Sequence, residues 1–304
     1  MGNLPLAGLR ILDFSWIIAG PTAARHLALM GAEVIKIGSS RRPDPSSRGA
    51  AFQVYNQSKE YCSLNLSTPV GLEIAKELIT NCDVVIENFA AGVFERIGLD
   101  YETLTTFRPD VILVSSAGTG HTGPDKDYVA YGSLLQHYTG WNTISGFGDT
   151  EPIRGGLWAD PWVGMELAMI TVGAINHRME TGKGQYIDFS MAESLTASIS
   201  TGLLEYQITN KLPTPIGNDD AIKSPHGLYK CKGYDEWIAI SIQNEVQWES
   251  LCSLLDSPKI LENSNCPSAK ARLENRVGID QEINKFTSSL GAYEAMHLFQ
   301  NRGI

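Results

Sequence analysis

The chain has 304 residues, 43% of them hydrophobic and 19% charged, and a formal net charge of −10. That length gives one large domain or two around a buried core, and the acidic balance argues against a general nucleic-acid or anionic-membrane surface. Five scattered cysteines, with no CxxC pair among them, read as reduced thiols of a cytoplasmic protein and argue against a zinc site.

The N-terminal stretch MGNLPLAGLRILDF lacks the basic region and long apolar run of a signal peptide. The longest uncharged apolar candidates are too short to span a bilayer, so no membrane partner is expected. From the start, LRILDFS (9–15) reads as a buried strand and TAARHLALMG (22–31) as a helix closed by Gly31. AEVIKIG (32–38) is a second strand, and TPVGLEIAKELITNC (68–82) is a helix opened by a Thr cap and a first-turn Pro. CDVVIENF (82–89) and DVILVSSAG (110–118) are further strands. Strand and helix in alternation predict an α/β fold, an open doubly wound parallel sheet of Rossmann-like type. Ligands of such sheets lie beyond the carboxyl ends of the strands. The GxGxxG and GxxxxGK[ST] fingerprints are both missing, which removes support for dinucleotide and P-loop chemistry.

A helix follows from Pro161 to Arg178, apolar nearly all round and therefore expected to be buried. YIDFSM (186–191) reads as a strand and 192–210 as another helix. The stretch KLPTPIGNDDAIKSPHG, rich in turn formers, suggests a linker over 211–226 between a large α/β domain, 1–210, and a small α+β domain, 227–304. In the small domain, two strands surround a turn at 232–235 and two helices follow.

Three groups could carry chemistry. Asp160, in WADPWVG, fits the grammar of a helix N-cap followed by Pro at N1. It also fits a nucleophile, since a helix N-terminus favours an ionised carboxylate and the flanking Trp158, Pro161 and Trp162 would limit water. Lys36, Arg41, Arg42 and Arg48 form either a solvated basic loop or an anion site for a phosphorylated ligand. The six histidines show no metal spacing, and no GxSxG elbow surrounds Ser115 and Ser116.

Four stretches resemble the family III CoA-transferases: 6–37, 63–104, 115–124 and 159–194. Within them, ENFAAGVFERIGLDYETL and HRMETGKGQYIDFSM are long and specific. The resemblance implies transfer of CoA from an acyl-CoA donor to a carboxylic acid acceptor through an aspartyl-CoA thioester, with Asp160 at the catalytic position. CoA is then a substrate; no tightly bound cofactor and no metal are expected. Carried over residue by residue, Ile17 and Ile18 line pantetheine and adenine, Leu64 contacts adenine, and Asn88 and Phe89 belong to the ENF motif. Arg96 and Ile97 match the nucleotide-binding Arg and its apolar neighbour, and Tyr131 lies close to the acyl site. Ser39 and Ser67 replace residues that are often basic in the family, so Arg41 or Arg42 is expected to meet the phosphates. The family's interlocked-ring homodimer is implied too. The chain ends at NRGI where relatives continue, which implies a fragment, a short protein or a subunit whose partner supplies that segment. A related α-methylacyl-CoA racemase would need a His at Tyr131. A non-catalytic CoA-thioester binder is the remaining alternative.

Overall fold

The computed structural model describes residues 4–153, 155–255 and 268–304. These form two compact units, one of Met1–Ile144 with Ile153–Pro213, the other of Ser145–Pro152 with Thr214–Ile304. The boundary at 213/214 falls inside the stretch read as a linker over 211–226, and most of that stretch, with the distant 145–152, packs in the second unit.

The strands of the first unit are β1 (Arg10–Asp13), β2 (Glu33–Gly38), β3 (Glu60–Ser63), β4 (Val84–Glu87), β5 (Ile112–Ala117) and β6 (Gln185–Ser190). All pair in parallel in the order β3-β2-β1-β4-β5-β6, so the expected doubly wound sheet is what forms. Its helices are α1 (Ala19–Leu29), α2 (Ala50–Tyr55), α3 (Pro69–Thr80), α4 (Val93–Arg96), α5 (Tyr101–Phe107), α6 (Gly132–Tyr138), α7 (Trp141–Ile144), α8 (Ala159–Thr181), α9 (Met191–Ser198) and α10 (Ser200–Thr209). Alternation along each strand divides the core in two. Ile11, Val34, Ile86, Ile112 and Val114 pack under α1 and α8, whereas Leu12, Ile37, Val85 and Leu113 face α3 and α5. The crossing of α1 with α8 is close because Gly164 carries no side chain: a Cβ there would lie 2.6 Å from Thr22 Cβ and 2.7 Å from the Ala19 carbonyl. That contact fixes the first turns of α8 against α1.

Three expectations need correction. β3 was not foreseen, because EYCS is a short, largely exposed edge strand without apolar alternation. The helix expected over 192–210 breaks at Ile199 into α9 and α10. α8 is not buried all round: Val163, Leu167, Thr171 and Ile175 are buried, while Met165, Met169 and Met179 lie on its exposed side. Among the described residues, no helix is long and apolar enough to cross a membrane.

In the second unit, β7 (His226–Lys230) and β8 (Trp237–Ser241) make an antiparallel hairpin around the foreseen turn. Four helices follow among the described residues where two were expected: α11 (Glu245–Leu255), α12 (Ala269–Glu274), α13 (Arg276–Thr287) and α14 (Ala292–Gln300). Tyr229, Ile238 and Ile240 pack with Trp248, Leu251, Ile283 and Phe299. Arg272 is buried here; its guanidinium forks onto Glu245 at 2.8 and 2.9 Å and lies 5.1 Å from the Trp248 ring. Cys266 lies outside the described residues.

Candidate active site

The carboxyl ends of β1, β4 and β5 open into two neighbouring cavities of the first unit. The smaller, about 190 Å³, is lined by Ile17, Ile18, Asn88, Phe89, Tyr131 and Asp160, together with Trp16, Ser116 and Met191. The larger, about 390 Å³, is lined by Arg41, Arg42, Leu64, Phe89 and Ile97, with Ser39 and Ser67 on the same wall. Trp16, Phe89 and Ala90 line both, so the two cavities lie side by side along one cleft wall. Nearly all the residues singled out from the sequence therefore share one surface. Arg96 does not: it is exposed, lines neither cavity, and its Nη1 lies 2.9 Å from where a Cβ on Gly92 would be.

Asp160 is not the N-cap of α8. Trp158 holds that place, without a capping side-chain bond, and Asp160 sits inside the first turn. Asp-Pro grammar set the start of the helix two residues late. The Asp160 carboxylate turns instead toward the start of α6, where it accepts the Gly132 backbone N–H. Glycine at 132 leaves room for that carboxylate: a Cβ would come within 2.5 Å of Oδ2 and 2.8 Å of Cγ of Asp160 and push the side chain aside. Burial pushes the Asp160 carboxyl up to about 6, and the Gly132 hydrogen bond opposes that shift. The group is thus ionised at neutral pH while poorly solvated, the condition of an activated carboxylate nucleophile.

The loop after β1 is braced from several sides. Asn88 Oδ1 accepts the Trp16 N–H at 2.6 Å and its Nδ2 donates to the Trp16 carbonyl at 2.9 Å, so this amide shapes the wall of the cleft with both its polar ends. The Phe89 ring meets Trp16 edge-on at 5.5 Å, and the Arg42 guanidinium lies 5.8 Å from the Trp16 ring. Trp16 falls in the stretch 15–20 that the sequence places beyond the carboxyl end of the first strand, where ligands of such a sheet bind. Lys36 is no anion ligand. It is buried beneath the loop, donates to the Ser15 carbonyl, and lies 3.7 Å from Asp13, which also pairs with buried Lys59 at 2.7 Å. Burial raises the Asp13 carboxyl, but Lys36 and Lys59 outweigh it and hold it below the usual range. Burial brings the Lys59 ammonium down to about 8 against the pull of Asp13. Arg48 lines neither cavity, leaving Arg41 and Arg42 as the basic residues of the larger one.

Two further residues bear on the site: Glu87, to which the sequence reading gives no role, and Ser116, which it names at a strand end but without a GxSxG elbow. The Ser116 hydroxyl is buried, has no hydrogen-bond partner among the described residues, and belongs to a residue of the cavity wall. Glu87, fully buried at the end of β4, accepts the Phe89 N–H at 2.7 Å; its other oxygen is 3.6 Å from His121 Nε2, beyond hydrogen-bond reach. Burial pushes its carboxyl up to about 8, so the folded protein keeps a proton there that the unfolded chain loses near pH 4. Stability from this group is complete below that lower value and is lost as pH rises toward 8. Replacing Glu87 by Gln is expected to remove the fall in stability between pH 6 and 8; denaturant unfolding at both pH values checks this, and an unchanged slope would contradict it.

Comparison with known proteins now adds to the geometry. A sequence profile of CoA-transferase family III matches residues 6–304. The chain is 32% identical to a formyl-CoA:oxalate CoA-transferase of Afipia carboxidovorans, covering 96% of this chain and 76% of that protein. It is 29% identical to a succinate–glutarate CoA-transferase of Agrobacterium fabrum, over 93% of this chain and 74% of the relative. The crystal structure of a CAIB/BAIF family protein from Brucella suis superposes with a TM-score of 0.89 at 28% identity, covering 99% of this chain and 83% of the other.

Proposed function

The chain belongs to CoA-transferase family III, and on that premise we propose that it moves CoA between an acyl-CoA donor and a carboxylic acid acceptor through a covalent thioester at Asp160. The observation that carries this proposal is a half-buried carboxylate, its pKa raised by desolvation, that lines a small cavity beside a larger one bearing Arg41 and Arg42.

Asp160 attacks the donor thioester carbonyl; the C–S bond breaks, and the products are a mixed anhydride and CoA thiolate. The thiolate attacks the aspartyl carbonyl, releasing the donor acid and leaving the aspartyl-CoA thioester. The acceptor carboxylate attacks that carbonyl and expels CoA thiolate again. Attack of the thiolate on the new acyl carbonyl gives the product acyl-CoA and restores Asp160. Each attack builds an oxyanion, for which the Ser116 hydroxyl, in the wall of the cavity with Asp160, is a donor. Trp16, Ile17 and Ile18 supply an apolar boundary against water, which would hydrolyse the anhydride. Arg41 and Arg42 are suited to the phosphates, and Leu64, Phe89 and Ile97 to the adenine.

Relatives named for succinate, glutarate, formate and oxalate make short acids the first to test. A panel of acyl-CoA donors and acids followed by mass spectrometry is expected to give a new acyl-CoA only when both substrates are present. Hydrolysis alone, or no reaction with any pair, would refute transfer. The racemase alternative lacks its second base, since among the described residues no histidine lines the cavity with Asp160. Solvent deuterium entering the α-carbon of a 2-methylacyl-CoA without an acid present would restore it.

The pH profile follows from the raised carboxyl. Protonated Asp160 is not nucleophilic, so kcat/KM should climb tenfold per pH unit up to about 6 and then level off. Rate measurements from pH 4.5 to 8 check this; a break near 4 would show that burial does not control the nucleophile.

A further inference from the structure

Ile17 has a φ of +67°, the left-handed region, which a β-branched side chain rarely enters. Such a conformation persists where its surroundings over-determine it, and it clusters at functional sites. Two side chains from other parts of the first unit impose it. Asn88 grips both backbone polar groups of Trp16, and Asp44 Oδ2 accepts the Ile17 N–H at 3.0 Å. Asp44 is itself buried and fixed, because its Oδ1 takes the Ser46 N–H at 2.8 Å and the Ser46 hydroxyl at 2.7 Å. It lies two residues after Arg42, whose guanidinium rests near the Trp16 ring.

We propose that Asp44 is a positioning residue for the acyl-CoA substrate. By accepting the Ile17 amide proton it holds the loop after β1 in the left-handed turn that sets Ile17 and Ile18 in the cavity wall with Asp160. The same carboxylate ties the Arg41–Arg42 segment to that loop, so both walls of the cleft keep one register. This inference rests on reading the adjacent cavities as the acyl-CoA site. It extends that reading to a residue which lines neither cavity and owes its effect to one backbone amide.

A double-mutant cycle with Ile17→Gly separates positioning from bulk support, because glycine enters the left-handed region without steric cost. Asp44→Ala, which removes the bond to the Ile17 amide together with the two from Ser46, should weaken CoA binding by about tenfold. It should raise KM by a similar factor while leaving kcat within a few fold. In the Ile17→Gly background the same Asp44→Ala change should cost less than about threefold in affinity. Asp44→Asn, which retains an acceptor oxygen, should stay near the parent and covers the case in which the alanine variant does not fold. Titration calorimetry with free CoA reads affinity, and thermal melts establish that each variant is folded. Equal losses of affinity in both backgrounds, or folded Asp44→Ala with unchanged affinity, would overturn the positioning role alone. Parent protein that binds no CoA at all would overturn the reading on which it rests.

Discussion

Replacing Asp160 by Ala is expected to lower CoA transfer by at least about a thousandfold, since the variant retains the cleft but has no group to form the thioester. Binding of CoA should change by less than about threefold, because Arg41, Arg42, Leu64 and Ile97 line the other cavity. Asp160→Asn should be equally inactive, yet more stable than the parent at pH 8. The folded carboxyl titrates at about 6 rather than 3.8, so the folded state holds its proton more tightly than the unfolded chain does. Stability from this group is therefore full at low pH and is lost between about 4 and 6. Above pH 6 the cost of burying the charge is fully present, and a neutral amide removes between roughly 1 and 3 kcal/mol of it. Inactive protein with a raised melting temperature is the pattern of a site that gives up stability for chemistry. An alanine variant that turns over within tenfold of the parent would exclude Asp160 as the nucleophile.

Gly132→Ala tests the same site from the opposite wall. The added Cβ would stand 2.5 Å from Asp160 Oδ2 and 3.1 Å from Oδ1, closer than the side chain can tolerate without rotating away. Gly132 opens α6, where alanine is a better helix former, so the fold should tolerate the change. If Asp160 is the proposed nucleophile, displacing its carboxylate by about 1 Å is expected to cost roughly a hundredfold in kcat, with KM nearly unchanged. Steady-state kinetics on a variant of parental melting temperature decides this. An unchanged kcat would mean that the carboxylate can act from another rotamer.

The sheet was legible in the sequence for a physical reason. The apolar centres of β1, β4 and β5, at 11–12, 84–86 and 112–114, are buried on both faces, as parallel strands between helix layers require. β3 is exposed at the edge and has no such centre. The surrounding motif singles out Asp160, but its local structure differs from the expected helix cap. DP suggested a cap, whereas the helix begins at Ala159 and the carboxylate is held by an amide 28 positions earlier. Contacts of that span have no signature in a single sequence. The same holds for Asp44 on the Ile17 amide, and for Lys36, whose charge looked available until Asp13 was placed beside it. Arg41 and Arg42 reach the cleft, while Arg48 on the same basic stretch does not.

Trapping the enzyme in the middle of its cycle bears most directly on the proposed thioester. The parent protein, incubated with an acyl-CoA donor and no acceptor acid, then treated with hydroxylamine or borohydride and digested, should carry a hydroxamate or an alcohol at residue 160 alone. Mass spectrometry of the peptide containing Asp160 reads both. Recovery of that peptide unmodified under conditions that exchange CoA would contradict covalent catalysis at Asp160.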